Sequence, residues 1–221
     1  MTPKLIISAT ALVALTACNS STTSNATMST NSPPATTAAT TPTVNEGIGS
    51  ATISGSTYTV TTNGSTISLP APNATVNGVP GWVAGLNGGT TNARQYEGAG
   101  MQMIAGSHDD QSFAGITGTP VDPGLSGTAT YAGTFFADAR AQGANTSGPI
   151  TLTADFAQNT LKGDATDFNV NGRIQSGGVI DGEATYKGDT APLKGGFYGA
   201  DEANAVFNNG YVSGMIQTKK Q

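Results

Sequence analysis

The chain has 221 residues, with 9 Lys and Arg against 14 Asp and Glu, a net charge of −5, and 6% aromatic residues. That acidic balance excludes nucleic acid as a partner, because phosphate backbones are held by an excess of Lys and Arg. One cysteine and one histidine exclude an intramolecular disulfide and leave too few soft ligands for a zinc site.

Residues 1–17 begin with a basic Lys4 and continue as an apolar run from Ile6 to Ala17. The run is shorter than the roughly 20 residues a membrane-crossing helix needs, and its basic start, apolar middle and small-residue end fit a cleaved signal peptide. Leu15-Thr16-Ala17-Cys18 resembles a bacterial lipobox. The resemblance implies that Cys18 becomes a diacylglyceryl cysteine carrying further acyl chains such as palmitate. One acyl chain holds a membrane only marginally, whereas several make the lipid anchor effectively permanent. Asn19 stands where an inner-membrane retention signal usually has Asp, so the outer membrane is the expected address. Loss of Lys4 leaves eight basic against fourteen acidic residues in the mature chain, a net charge of −6.

After Cys18, residues Asn19 to Asn45 are almost entirely Ser, Thr, Ala, Asn and Pro, with Met28 and Val44 the only large apolar side chains. Such a composition buries too little to repay its ordering entropy, so residues 18–45 read as a disordered tether. As a coil it reaches roughly 30 Å root-mean-square, and at most about 90 Å stretched.

Residues 46–124 read as a handle-like β segment, with strands expected at Ala51 to Thr61, Ser65 to Leu69 and Arg94 to Ile104. Between them, Pro70 to Asn92 is rich in Pro, Gly and Asn and reads as loop. Trp82 lies inside it. Two roles are open for that indole: an exposed anchor for a partner, or a lid over the open end of the sheet, which is the expectation.

From Gly127 onward apolar and polar residues alternate over short stretches divided by Gly, Asn and Asp, the signature of half-buried strands. One face carries Ala129, Tyr131, Gly133 and Phe135, then Ile150, Leu152, Ala154 and Phe156, then Leu161, Gly163 and Ala165. It continues with Phe168, Val170, Gly172 and Ile174, and with Ile180, Gly182, Ala184 and Tyr186. Leu193, Gly195 and Phe197, a short Ala205 to Phe207 segment, and Val212, Gly214 and Ile216 complete about eight strands. Hairpin-length connections make an antiparallel up-and-down arrangement the economical topology. The fold class is therefore all-β: a small soluble eight-stranded barrel over residues 125–221, preceded by a reduced handle. Its strands are shorter than the roughly 9 to 11 residues of a membrane barrel, and their second face is polar. One glycine per strand on the apolar face is read as a bend. Phe135, Phe156, Phe168, Phe197, Tyr131 and Tyr186 are expected to plug the lumen, which moves function to the loops.

Ala114-Gly115-Ile116-Thr117-Gly118-Thr119-Pro120 followed by Ser126-Gly127-Thr128-Ala129-Thr130-Tyr131-Ala132-Gly133 resembles the entry into the barrel of the transferrin-binding protein B family. Leu152-Thr153-Ala154-Asp155-Phe156, Thr160-Leu161-Lys162-Gly163 and Gly195-Gly196-Phe197-Tyr198-Gly199 are similar to later parts of the same barrel, over residues 110–219. The resemblance implies a lipid-anchored module of the outer membrane, exposed at the cell surface, that captures a host or environmental protein, a haem carrier or another carried nutrient. Full transferrin receptors have two lobes, so one small lobe does not imply transferrin itself. Asp201-Glu202-Ala203-Asn204-Ala205-Val206-Phe207 lacks the family's glycine pair, and a shorter turn is expected there. The alternative is a non-catalytic envelope-maintenance lipoprotein facing the periplasm.

Enzymatic chemistry has one candidate, His108 with Asp109 and Asp110, and no marked nucleophile beside it. No alternating oxygen ligands ending in Glu form a calcium loop. Asp109-Asp110 and Asp201-Glu202 read as solvated turn residues. No catalytic, metal or cofactor-binding residue is expected, and ligand-binding residues are not legible.

Overall fold

The computed structural model describes residues 47–199 and 201–221. Cys18, the signal segment and the tether lie outside the described residues. What is described is all-β, in two sheets within one compact unit.

The first sheet contains β1 (Ile48–Ser54), β2 (Thr57–Thr62), β3 (Ser65–Leu69), β4 (Ala74–Val76), β5 (Val79–Trp82), β6 (Asn92–Gly98), β7 (Met101–His108) and β8 (Gln111–Thr117). Its spatial order is β3-β2-β1-β8-β7-β6-β5-β4. All neighbours are antiparallel except β1 and β8, which run parallel through Ile48 opposite Ala114 and Gly49 opposite Gly115. This segment is far less reduced than expected. The strand read over Ala51 to Thr61 is a hairpin, turned at Gly55 with φ 58°. Arg94 to Ile104 is likewise two strands, divided where Ala99 and Gly100 adopt φ 49° and 74°. Two left-handed residues in succession suit the twist of a tight hairpin. The expected Pro70 to Asn92 loop contains β4 and β5, and β8 has no counterpart in the sequence reading.

The second sheet is a closed barrel of β9 (Thr128–Ala139), β10 (Ala144–Asp155), β11 (Thr160–Ala165), β12 (Phe168–Ile174), β13 (Val179–Tyr186), β14 (Asp189–Tyr198), β15 (Glu202–Asn208) and β16 (Val212–Lys220). Each strand pairs antiparallel with the next, and β16 closes onto β9. The up-and-down topology follows the alternation read from the sequence, although β15 is longer than the Ala205 to Phe207 segment expected. Tyr131, Phe135, Phe168, Phe197 and Tyr186 fill the interior, with Phe168 stacked on Phe135 at 4.4 Å. Aromatic stacking of this kind adds to area burial.

Glycine on the inner face lets neighbouring backbones pass closely. A Cβ on Gly195 would lie 2.1 Å from the Asn204 carbonyl oxygen, and one on Gly214 would lie 2.1 Å from that of Phe136. No side chain fits such approaches, which occur where barrel strands coil.

One side of the barrel wall is dry. Phe136, Tyr198, Val206 and Met215 point outward and pack with Met101, Met103, Ala105 and Ala114 of the first sheet into a core between the two. Tyr96, Ile48 and Ile116 flank it. A third core lies on the far face of the first sheet, where Ala51, Val60, Ile67, Leu69, Trp82, Ala93, Ile104 and Phe113 meet. The expectation that polar residues cover the whole barrel exterior therefore fails over β15, β16 and the last third of β9, because the first sheet covers them.

Candidate binding face at the mouth of the barrel

At one end of the barrel the strands stop at different heights. β11 to β14 turn at Ala165, Phe168, Tyr186 and Asp189, whereas β9 and β10 continue pairing from Pro149 opposite Thr134 to Ala144 opposite Ala139. Six further residues at about 3.4 Å each carry β10 roughly 20 Å past the end of its pairing with β11, while β16 stays paired with β9 as far as Ala139. The tip of the β9–β10 hairpin is tied back across the mouth, where Gln142 Nε2 donates to Asp189 Oδ2 at 2.8 Å. Beneath the arch lies a cavity of about 600 Å³, lined by Phe135, Thr146, Gly148, Tyr186, Lys187 and Asp167 among others. The same end gathers the Asn209–Tyr211 turn, where Tyr211 is 54% exposed. Asn208 on β15 donates to the Gly47 carbonyl at 2.8 Å, so the chain enters the described structure at this end too.

Buried polar ties hold the hairpin and the first sheet together. Asp138 on β9 is 4% exposed and accepts from Ser107 Oγ at 2.7 Å and from Asn92 Nδ2 at 3.1 Å. Burial pushes its carboxyl above the usual range, opposed by those two hydrogen bonds and by the charges of Arg140 and Arg94. Arg94 on β6 donates through Nη1 to the Trp82 and Ala93 carbonyls, and its guanidinium lies 4.6 Å over the Phe136 ring. Its pKa is lowered by burial, with Asp138 acting in the other direction. At the opposite end, Tyr96 Oη donates to both oxygens of Glu202, at 2.9 and 3.0 Å, and Asn204 Nδ2 donates to Glu202 Oε2 at 2.9 Å. Burial, then the hydrogen bond and charge of Glu202, push the Tyr96 phenol up to about 12.

The residues singled out in the sequence fall in four places. Cys18 lies outside the described residues. His108, Asp109 and Asp110 form the β7–β8 turn, where both aspartates have positive φ as turn residues do. His108 Nδ1 is 2.6 Å from Thr91 Oγ1, His108 Nε2 is 3.3 Å from Asp109 Oδ2, and Arg140 pairs with Asp110. Hydroxyl, imidazole and carboxylate stand in line, but Thr91 is 2% exposed and no substrate reaches its oxygen. The set ties the turn to the β5–β6 loop. Trp82 is fully buried, donates Nε1 to the Pro70 carbonyl at 2.8 Å and meets Tyr58 edge-on at 5.5 Å, so it closes the sheet and anchors no partner. Asp201 is an exposed turn residue, but Glu202 is 9% exposed, which corrects its reading as solvated. Among the described residues no group of three His, Cys, Asp or Glu could hold a metal ion, and no helix is long and apolar enough to cross a membrane. Sequence reasoning missed the arching hairpin and Tyr211. Gly148-Pro149 inside an otherwise regular strand was the available signal, because proline in a strand marks an edge.

The molecule is thus an all-β barrel-and-sheet protein that presents turns and a cavity at one end. No protein-family model and no curated protein matches the sequence. Among solved structures, the chain is similar to HpuA from Kingella denitrificans in complex with human haemoglobin, at 12% identity and TM-score 0.42, over 75% of this chain and 83% of that one. The apo haemoglobin receptor HpuA from the same organism is matched at 13% identity and TM-score 0.42, over the same shares. Isotype 1 transferrin binding protein B from serogroup B Neisseria meningitidis is matched at 16% identity and TM-score 0.42, over 74% of this chain and 48% of that one.

Proposed function

We propose that this chain is a lipid-anchored lipoprotein of the outer membrane, exposed at the cell surface, that captures a host or environmental protein or a carried nutrient. It does so without catalysis. The observation that carries the reading is the division of the barrel into a filled interior and an open mouth: aromatic side chains occupy the lumen, while loops, a 600 Å³ cavity and the exposed Tyr211 gather at one end. A rigid scaffold with adaptable loops at one face is a common design for recognition. The lipobox at Cys18 supports the anchor, and a tether reaching roughly 30 Å lets the mouth turn away from the membrane.

Haemoglobin and transferrin, the proteins to which the similar structures relate, are the first partners to try. A fragment of residues 46–221, immobilised and titrated with haemoglobin, transferrin and free haem, is expected to bind one of them saturably. Protease treatment of intact cells is expected to remove the barrel without permeabilisation of the outer membrane. No binding to any of the three, together with protection in intact cells, would replace this reading by that of an envelope-maintenance lipoprotein facing the periplasm.

A further inference from the structure

One stretch of the barrel has a partner on one side only. β10 pairs with β9 along its whole length, but with β11 only from Thr151 to Asp155, which leaves the edge of Ala144–Ile150 without a paired strand; the one side-chain tie there is Asn77 Nδ2 of the β4–β5 turn donating to Ser147 Oγ at 3.1 Å. Closure normally abolishes edges in a barrel, and exposed edges are usually blunted, because a row of unpaired N–H and C=O groups templates another strand. This edge carries no Lys, Arg, Asp or Glu between Ala144 and Ile150.

The direction of its backbone groups follows from Pro149. Lacking an N–H, proline sits in a strand only where that position faces away from the paired neighbour. Asn145, Ser147 and Pro149 therefore turn their peptide groups to the open side. The far end of β10 agrees, since the N–H of Phe156 donates to Gly127, just before β9, which places even-numbered residues on that side. Two donors, from Asn145 and Ser147, and three acceptors, from Asn145, Ser147 and Pro149, line the edge. Side chains follow the same parity: Ile150, Leu152 and Ala154 are buried in the lumen, so Thr146 and Gly148 face the cavity under the arch. The bond from Gln142 to Asp189 holds the hairpin across the mouth and the slot beside it open.

We propose that this edge accepts an extended segment of a partner polypeptide as an added strand, with alternate side chains entering the cavity. Backbone groups repeating every two residues, about 6.8 Å apart, match another strand. Charge narrows the choice. The Lys187 ammonium lies 5.6 Å from the centre of the Tyr186 ring and, among the described residues, forms no ion pair, so an acidic side chain on the segment complements it. Asp167, whose carbonyl accepts from the Lys187 N–H, disfavours a second acid nearby. The fitting segment is therefore extended, β-branched and singly acidic. The inference rests on the reading above only in treating the mouth as a binding face.

The test is fluorescence anisotropy of the full chain titrated with a labelled peptide, acetyl-Thr-Val-Thr-Glu-Thr-Val-Thr-amide. Saturable one-to-one binding is expected. Ser147→Pro, which removes the central outward donor, is expected to weaken it by about tenfold or more. Peptides N-methylated along one edge are expected to lose binding by a similar factor, while those methylated along the other edge keep it. If Ser147→Pro unfolds the protein, the pair of methylated peptides decides. No saturable binding up to about 1 mM, or equal binding by both methylated peptides, overturns the proposal. Capture of haemoglobin or transferrin that is unaffected by Ser147→Pro overturns this strand addition while leaving the proposed function in place.

Discussion

The barrel and the sheet beside it each contain eight strands, yet they obey different rules of burial. In β12 the pattern is strictly alternating, from buried Phe168 through exposed Asn169 to buried Val170. In β7 Met103, Ile104, Ala105 and Gly106 are all buried, because Met103 and Ala105 face the barrel while Ile104 faces the core under β2 and β3. A strand with water on one face is specified by its alternation, whereas a strand covered on both faces is specified by fit and by buried hydrogen bonds. The barrel should accordingly be most sensitive to lost volume, and the seam between the two sheets to lost polar partners.

The largest effect is expected from the barrel core. Phe168→Ala removes a ring stacked on Phe135 and tilted against Phe207 at 5.4 Å, and should cost about 3–5 kcal/mol in denaturant unfolding. A loss below about 1 kcal/mol would mean that the lumen is not close-packed and that the barrel is no more sensitive to lost volume than the seam.

Next comes Gly195→Ala, an added methyl in place of a lost ring. Its Cβ meets the Asn204 carbonyl oxygen and, at 2.6 Å, the Ala205 Cα, both backbone atoms of the paired strand. Since these cannot rotate away, a cost of about 1–3 kcal/mol is expected from the midpoint of thermal or denaturant unfolding. Gly177→Ala, where a Cβ meets nothing within 4 Å, tests φ alone, at 74°. It should cost less than Gly195→Ala.

At the seam, Tyr96→Phe removes the phenol shared by the two oxygens of Glu202. The carboxylate keeps Asn204 and a longer contact to Lys219 at 3.5 Å, so a cost of about 1–2 kcal/mol is expected. The variant also has an alkaline signature. In the folded protein Tyr96 holds its proton to about 12 against 10 when unfolded, so its contribution is full below pH 10 and lost as pH rises towards 12. Part of the fall in stability over that window should vanish in Tyr96→Phe. The rest should remain, because burial also raises the Tyr198 phenol to about 12.

Legibility in the sequence follows the same division. The eight barrel strands could be read because Thr151, Thr153, Lys162, Asn169 and Asn171 face water opposite buried Leu152, Ala154, Leu161 and Val170. β8 could not, because Phe113 and Ala114 are adjacent, both buried and in different cores. Two hairpins of the first sheet were read through because Gly55 and Ala99-Gly100 interrupt strands whose composition continues on either side. Glu202 misled because an acidic pair beside a turn is usually solvated. Its partner Tyr96 is 106 residues away, beyond any local pattern. The mouth was legible only as Gly148-Pro149, an edge signal without its cavity.

The smallest effect expected is the most direct test of how the seam is held. Burial of the Asp138 carboxylate costs desolvation energy that the hydrogen bonds from Ser107 and Asn92 offset only in part. Its folded pKa is raised above 3.8, so the folded state binds this proton more tightly than the unfolded chain does. Stability from this group is therefore fully present below pH 3.8 and declines as pH rises through the folded value. Asp138→Asn keeps an oxygen to accept from Ser107 and Asn92 but carries no charge to desolvate. Relative to the natural protein it should change stability by no more than about 1 kcal/mol at neutral pH, with the sign favouring the variant. The difference between the two should shrink as the pH falls, since protonated Asp138 already lacks the charge. A variant clearly less stable at neutral pH, with a gap that closes under acid, would mean that attraction from Arg140 and Arg94 outweighs burial, and that the seam is an ion-pair network.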